Sequence, residues 1–120
     1  MNREKLMETA KQIAANYWIL DDDGEAVPCQ DVMEWAKSFE ANELRIVAKD
    51  QIGPYFVSTV FLGIDHSFGG EGPPLLFETM VFNPSGRESK EFDQERGSTR
   101  SEAIAGHRKM VNRVGKKVWG

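Results

Sequence analysis

The chain has 120 residues and a formal net charge of −4, and 40% of its residues are hydrophobic and 28% charged. These fractions argue against a disordered chain and against a membrane protein. Acidic residues outnumber basic ones by 19 to 15, which argues against a protein that coats DNA or RNA, because binding to phosphate backbones needs many cationic contacts. The length predicts one domain over residues 1–120.

The cysteine content and the N-terminal sequence indicate the cellular compartment of the protein. The single cysteine, Cys29, has no partner for an intrachain disulfide, which fits a reducing cytosol. The first residues, M-N-R-E-K-L-M-E-T, mix acids with bases and precede no long apolar block, so we expect no secretory signal. No apolar run approaches the length of a membrane span. The sequence therefore predicts a cytoplasmic protein with no membrane partner.

The first thirty residues predict a helix followed by a hairpin. Apolar residues recur at helical spacing within residues 1–16, which indicates a peripheral amphipathic helix. Tyr17–Leu20 is typical of a strand, and the Asp21–Gly24 turn leads from it into Ala26 and Val27. The aspartates of that turn lack the alternating spacing and the distant glutamate of a calcium loop, so we expect no metal there.

A second helix is predicted over residues 31–40. Asp31 and Glu34 have the spacing of a capping box at its start. Its apolar face is formed by Val32, Trp35, Ala36 and Phe39. Aromatic side chains at this spacing are typical of a helix that packs on a core.

Residues 44–82 predict three antiparallel strands. Leu44–Lys49 alternates between apolar and polar residues, Gln51–Pro54 supplies a turn, and Tyr55–Asp65 returns as the second strand. Leu75–Phe82 forms the third strand after a loop rich in glycine and proline. Apolar side chains occur on both faces of the last two strands, so the second face must be covered by the remaining helix or by another subunit. We expect a homo-oligomer.

The rest of the chain predicts an exposed segment and a long helix. Asn83–Gly86 is a turn, and Ser89–Glu95 is polar enough to be an edge strand or an exposed connection. Thr99–Glu102 is a capping box that begins an amphipathic helix over residues 99–117. Its apolar stripe is formed by Ile104, Val111, Val114 and Val118. The predicted fold class is α+β: an antiparallel sheet over residues 17–96, with the helix 31–40 inserted and helices packed on the sheet.

Asp65 and His66 stand where the second strand gives way to the glycine-rich loop. Residues at such positions either cap the strand end through hydrogen bonds or belong to a site. In the loop, Phe68 offers a face for stacking, although the loop can equally be a tight connection. The sequence holds no Gly-x-Ser-x-Gly, no His-Glu-x-x-His and no second cysteine, and it has two histidines in all. We therefore expect no enzyme, no metal site and no cofactor.

Charged residues in apolar or basic surroundings are further candidates for ligand contacts. Glu78 lies inside an apolar strand and needs a partner such as Arg45, either in a structural ion pair or in a pocket for a polar ligand. His107 and Arg108 belong to a basic helix face that is either solvated or a phosphate contact. An aromatic ring such as Phe82 with one or two arginines suits a small nucleotide, because the ring stacks on the base and the guanidinium binds phosphate.

Three segments of the chain carry a specific pattern. They are W-I-L-D-D-D-G-E-A-V-P-C, S-T-V-F-L-G-I-D-H-S-F-G-G-E-G-P-P-L-L-F-E-T-M-V-F and E-A-I-A-G-H-R-K-M-V. Over most of the residues from Trp18 to Val114, the chain resembles the first anti-Thoeris family of small phage and prophage proteins. Members of that family are sponges that sequester cyclic ADP-ribose isomer signals of bacterial immunity without cleaving them. Members also form oligomers and sequester cyclic oligonucleotides.

The resemblance implies which residues contact the ligand. It points to Arg45, Phe82 and Arg108, with phosphate on the arginines and the base on Phe82. It places His107 and the 65–68 loop nearby.

The function implied by the resemblance is that of a phage-encoded anti-defence protein. It would sequester a small cyclic nucleotide signal in the cytosol of the infected host. The alternative is a protein-binding inhibitor of a host defence complex, such as an anti-CRISPR protein, which an exposed acidic patch at residues 88–95 without a nearby pocket would favour. Two features depart from the family pattern: the helix at residues 1–16 is additional, and Gly97 stands where an aromatic residue is expected.

Overall fold

A computed structural model describes residues 17–40, 45–67 and 72–120, and it has an α+β architecture. The elements in chain order are β1 (Trp18–Leu20), β2 (Ala26–Pro28), α1 (Val32–Glu40), β3 (Ile46–Ile52), β4 (Tyr55–Phe61), β5 (Phe77–Phe82), β6 (Glu95–Gly97) and α2 (Arg100–Trp119). Strands β1 and β2 form one antiparallel pair, and β3 to β6 form a four-stranded antiparallel sheet in sequence order. The predicted fold class is confirmed. The helix predicted at residues 1–16 lies outside the described residues.

The β1–β2 hairpin and the start of α1 form where the turn and capping residues predict them. The Asp21 carboxylate accepts hydrogen bonds at 2.9 Å from the backbone N–H groups of Asp23 and Glu25. The Asp31 carboxylate likewise accepts from the N–H groups of Met33 and Glu34. Each aspartate satisfies backbone donors that would otherwise lack a partner at a turn or a helix start.

The apolar face predicted for α1 is only partly buried. Trp35 and Phe39 are half-buried, whereas Val32 is 46% exposed and Ala36 is exposed. No residue of α1 is fully buried. Trp35 and Phe39, which their spacing assigns to the core, are therefore only partly buried, because α1 packs beside β1 instead of on a full sheet face.

The strands of the larger sheet depart from their predicted bounds and alternation. Strand β3 continues to Ile52, beyond the predicted end at Lys49, and β5 begins at Phe77 instead of Leu75. A β-bulge interrupts the pairing of β3 with β4 between Ile46 and Ala48, so these two residues lie on opposite faces of the sheet. Strand β4 ends at Phe61 and not at Asp65, because Gly63 has a positive φ of 76° and breaks the extended backbone.

Helix α2 packs on one face of the sheet and forms the core there. Its Thr99 N-cap accepts a hydrogen bond from the Glu102 N–H, which confirms the predicted helix start. One core cluster joins Ile52, Val57, Val81, Met110 and Val114, and a second joins Phe61, Leu76, Phe77 and Ala103. Burial of such side chains contributes about 1.5–3 kcal/mol each. Within the part of the chain that is described, no helix is long and apolar enough to cross a membrane.

The opposite sheet face carries apolar side chains on adjacent strands. Cross-strand pairing places Phe56 beside Phe82 and Ser58 beside Met80 on this face. Phe56 is 37% exposed and Ile46 is 38% exposed. The two described helices pack elsewhere, since α2 contacts the other face and α1 contacts β1. We call this surface, formed by Ile46, Phe56, Val60, Met80 and Phe82, the open sheet face.

A chain of polar side chains crosses the core between the sheet and α2. The Oγ1 atoms of Thr59 and Thr79 are 2.6 Å apart, and Thr59 Oγ1 lies 2.7 Å from His107 Nδ1. The other ring nitrogen of His107, Nε2, lies 2.7 Å from Asp50 Oδ2. Thr59 is completely buried, and His107 is 5% exposed. Since buried polar groups are costly without partners, this network holds α2 in one orientation on the sheet.

Replacement of Thr59 by valine tests the network, because valine keeps the shape of threonine and removes the hydroxyl. The change leaves His107 Nδ1 without a partner and removes the partner of Thr79. We expect T59V to lower the free energy of unfolding by about 1–3 kcal/mol, measured by urea denaturation.

The matched control for T59V is S58A, at the neighbouring position on the opposite face. We expect a change within about 0.5 kcal/mol for S58A. If T59V proves as mild as S58A, the network does not hold α2 in place.

Candidate functional site

A cavity lies between α1, the first hairpin and the end of β4. Its volume is about 360 Å³, which falls at the lower end of the range for small-molecule pockets. The apolar lining is formed by Ile19, Leu20, Phe39 and Phe61, and the polar lining by Glu34, Lys37, Ser38 and Arg45. We call this space the Arg45 cavity.

Contacts of Trp35 hold α1 in place where the helix lines the cavity. Its indole N–H donates to the carbonyl of Gly63 at 2.9 Å, and its ring lies 4.4 Å from the rings of both Tyr17 and Phe39. A Cβ atom at Gly63 would lie 2.2 Å from the Phe39 ring. The sequence thus needs glycine at position 63 both for its positive φ and for the close approach of Phe39.

Arg45 has two protein contacts in the cavity. Its guanidinium carbon lies 3.9 Å from the centroid of the Phe39 ring, a cation–π contact. Its Nε–H donates to the carbonyl of Phe61 at 3.2 Å. Burial lowers the pKa of Arg45 from its ordinary value, although arginine stays protonated at neutral pH.

No carboxylate of residues 17–40, 45–67 or 72–120 lies within 4.0 Å of the Arg45 guanidinium nitrogens. The Phe39 ring packs against the face of the Arg45 guanidinium, and the Nε–H of Arg45 donates to the Phe61 carbonyl. The two terminal nitrogens are left as a fork that matches two oxygens of one carboxylate or phosphate. The cavity can therefore hold a small organic anion whose apolar or ring portion packs on its walls.

The other two arginine and aromatic candidates lie apart from this cavity. Phe82 is half-buried at the end of β5, on the open sheet face. Arg108 is exposed on α2, which packs on the opposite face. The sheet separates these two side chains, so one chain does not bring Arg45, Phe82 and Arg108 together.

Glu78 pairs with Arg96 and not with the predicted partner Arg45. Arg96 Nε lies 2.9 Å from Glu78 Oε2, and the two residues are directly opposite each other on β5 and β6. Glu78 is 9% exposed, so this pair satisfies the carboxylate that the strand buries. The predicted pairing of Glu78 with Arg45 is therefore wrong, and the carboxylate forms a structural ion pair with Arg96.

The histidines and loop residues that the sequence offers as ligand contacts make contacts within the protein instead. His107 belongs to the network with Thr59 and Asp50. The carboxylate of Asp65 accepts from the N–H groups of Ser67 at 2.8 Å and Leu75 at 2.9 Å, so it holds the two ends of the glycine-rich loop together. The His66 N–H donates to the Leu75 carbonyl. Phe68 lies outside the described residues.

Charge pairing links the acidic segment to the basic helix. Glu91 contacts Lys117, and Glu95 contacts both Lys109 and Arg113 at 3.3 Å. Two of the four acids at residues 88–95 are therefore paired with bases, and three bases of α2 are partly neutralised. This pairing weakens α2 as an anion-binding surface.

Sequence reasoning missed the part that α1 plays in the cavity. Phe39 was assigned to the core, and Glu34 and Lys37 were assigned to no site. Their spacing of three residues places them on one side of α1, but the sequence does not show which side faces Arg45. Among the described residues, no group of three or more histidine, cysteine, aspartate or glutamate side chains could hold a metal ion.

Comparisons of the chain with family models, with curated proteins and with solved structures gave no match.

Substitution of Asp65 by asparagine tests its place in the loop through the pH dependence of stability. Partial burial would raise the pKa of Asp65, but hydrogen bonds from Ser67 and Leu75, together with nearby His66, hold it below its ordinary value of 3.8. The ionised carboxylate therefore stabilises the fold above that pH, and the contribution disappears as the pH falls through the lower native pKa. We expect D65N to be about 1 kcal/mol less stable at pH 7.

The difference between D65N and the unsubstituted protein should shrink as the pH falls below 3.8. Thermal unfolding of both proteins from pH 7 to pH 3 measures it. A difference that stays constant over this range would show that the charge of Asp65 has no part in the effect.

Proposed function

We propose that the protein binds a small nucleotide in the Arg45 cavity and sequesters it without chemical conversion. The observation that carries the proposal is the Arg45 guanidinium, which is held by Phe39 and Phe61 and faces a cavity with no carboxylate partner among the described residues. A phosphate fits the free fork of this arginine, and a nucleobase fits the aromatic and aliphatic walls.

The absence of a nucleophile–base pair in the described lining favours binding over catalysis. Ser38 provides the hydroxyl in that lining, and it donates to the carbonyl of Trp35, one turn earlier. A nucleophilic serine needs a base within hydrogen-bond reach, and His107 is instead buried between α2 and the sheet. The groups around the cavity suit recognition of a ligand.

The biological role is proposed on the resemblance to the first anti-Thoeris family. The protein would be phage-encoded and would act in the cytosol of an infected bacterium, where it would hold a cyclic ADP-ribose isomer or a cyclic oligonucleotide away from its receptor. Because the sheet separates Phe82 from Arg108, we place the proposed ligand at Arg45 within one chain.

Self-association through the open sheet face is part of this proposal. The face has apolar side chains on β4 and β5 beside Ser58 and the Glu78–Arg96 pair, and the polar side chain of Lys49 lies on β3; a mixture of apolar and polar groups is usual for a protein interface. Its four strands, at ordinary strand spacing and length, give it an area of roughly 400 Å² per copy. A standard interface buries about 800 Å² per partner, so the association is weak and depends on concentration.

A protein-binding inhibitor is the second candidate function, and the same open sheet face favours it. In that case the apolar side chains would contact a host protein instead of a second copy. The pairing of Glu91 and Glu95 with bases of α2 argues against an inhibitor that binds its partner through an acidic patch.

Ligand capture tests the binding proposal. The protein is incubated with cyclic ADP-ribose isomers and cyclic oligonucleotides, separated from free ligand and heated to release what it holds. We expect recovery of unchanged ligand from the unsubstituted protein. R45Q should weaken binding at least about tenfold, because a charge-assisted hydrogen bond contributes about 1.5–3 kcal/mol.

The matched control for R45Q is R108Q, which removes an exposed arginine of α2 outside the cavity lining and should bind normally. Recovery of a converted product would identify an enzyme. Equal binding by R45Q and the unsubstituted protein would exclude the cavity as the site.

Light scattering after size-exclusion chromatography tests the open sheet face. We expect monomers at about 1 μM and dimers at about 100 μM, as a small interface implies. F56E places a charge on the face beside Phe82 and should leave monomers at both concentrations. The control W119E alters an aromatic side chain that is 72% exposed elsewhere, and it should behave like the unsubstituted protein. Dimers of F56E would exclude this face.

A further inference from the structure

We infer that Glu34 determines specificity in the Arg45 cavity by accepting hydrogen bonds from sugar hydroxyls, so that the cavity prefers ribonucleotides to deoxyribonucleotides. This inference rests on the proposed function and adds to it the recognition of the sugar. It follows from the division of the cavity lining into an apolar and a polar side, and from the free carboxylate that Glu34 contributes to the polar side.

The lining has an apolar side and a polar side. Ile19 and Leu20 of the first hairpin and Phe61 at the end of β4 are half-buried or buried, and they form the apolar side. Glu34 and Lys37 are exposed residues of α1, and they belong to the polar side. Apolar walls hold the ring system of a ligand, so the nucleobase packs against the hairpin and β4. The sugar and the phosphate need polar partners and therefore lie towards α1.

The position of Arg45 also places the phosphate on the α1 side. Its guanidinium stacks on Phe39, a residue of α1, with 3.9 Å between the guanidinium carbon and the ring centroid. A phosphate on the free end of the guanidinium therefore lies beside this helix. The sugar is the next group of a nucleotide, and it meets the side of α1 on which Glu34 and Lys37 lie three residues apart.

The carboxylate of Glu34 has no partner among the residues that the structure describes. The backbone N–H of Glu34 donates to the Asp31 side chain at 3.3 Å. Its carboxylate takes part in none of the ion pairs and side-chain hydrogen bonds found within residues 17–40, 45–67 and 72–120. The same is true of the Lys37 ammonium group, so these two neighbours do not pair with each other. Both groups are therefore available to a ligand.

A carboxylate in an anion site is unfavourable unless the ligand offers it hydrogen-bond donors, because like charges repel. An ionised carboxylate accepts hydrogen bonds and donates none. The donors of a nucleotide are its sugar hydroxyls and the amino groups of its base, and the base lies on the apolar side. A sugar hydroxyl is therefore the group that Glu34 binds, as acidic residues do with the ribose 2′-hydroxyl in dinucleotide sites. Lys37 offsets the repulsion between Glu34 and the phosphate.

Titration calorimetry with two cyclic dinucleotides tests the inference. Cyclic di-AMP and its 2′-deoxy analogue have the same bases and the same phosphodiester charges, and they differ only in the 2′-hydroxyls. We expect the unsubstituted protein to bind cyclic di-AMP about fivefold more tightly, a modest preference because Glu34 is exposed and water competes for its carboxylate. E34A should abolish this preference. E34Q should keep part of it, because the amide oxygen of glutamine is still an acceptor.

The matched control for E34A is E40A, which removes an exposed carboxylate of the same helix outside the cavity lining. We expect E40A to leave the ratio of the two affinities unchanged. If Glu34 acted through its charge alone, E34A would shift both affinities together and the ratio would stay the same, which would overturn the inference.

The remaining results separate this inference from the proposed function. If the unsubstituted protein binds both cyclic dinucleotides equally, sugar recognition by Glu34 is wrong, while binding that R45Q weakens supports the proposed site. If neither cyclic dinucleotide binds, the inference is overturned, whereas the proposed function is overturned only when no nucleotide at all is captured. If R45Q binds as tightly as the unsubstituted protein, the site lies elsewhere and both proposals are overturned.

Discussion

Packing of α2 on the sheet depends on the hydrogen bonds that pass from Asp50 through His107 to Thr59 and Thr79. A histidine at this depth is tolerated because both of its ring nitrogens have partners. The network fixes which side of α2 faces the sheet, and Met110 and Val114 enter the core on that side. It also fixes which side chains of β3 and β4 face α2, and this choice sends the alternate side chains to the open sheet face.

Much of the fold follows from local sequence signals. The Asp21–Gly24 turn, the Asp31 cap and the Thr99 cap each set an element boundary through a side chain that bonds to nearby backbone groups. Such interactions involve neighbours in the chain, so a single sequence contains them. The alternation of β4 and β5 likewise predicts their pairing, because each face keeps its period of two.

Features that depend on distant residues could not be predicted in the same way. The bulge between Ile46 and Ala48 leaves the alternation of residue types unchanged but places the two residues on opposite faces. Glu78 meets Arg96 because β6 lies beside β5. The polar sequence 89–95 did not show whether an edge strand forms there, so this partner could not be predicted. The cavity required Phe39 to approach Gly63, a contact between segments whose separate patterns indicate a core helix and a strand.

The four-stranded sheet separates the two surfaces to which function is assigned. The Arg45 cavity lies where α1 and the first hairpin meet the end of β4, whereas Phe56 and Phe82 lie on the open sheet face. A substitution at Phe56 reaches no residue of the cavity lining, and Arg45 contributes no side chain to the open sheet face. Mutations at such distant sites act additively when they share no partners. The proposed ligand binding and the proposed self-association should therefore be separable, and a ligand affinity that depended on protein concentration would require a contact between copies beyond the open sheet face.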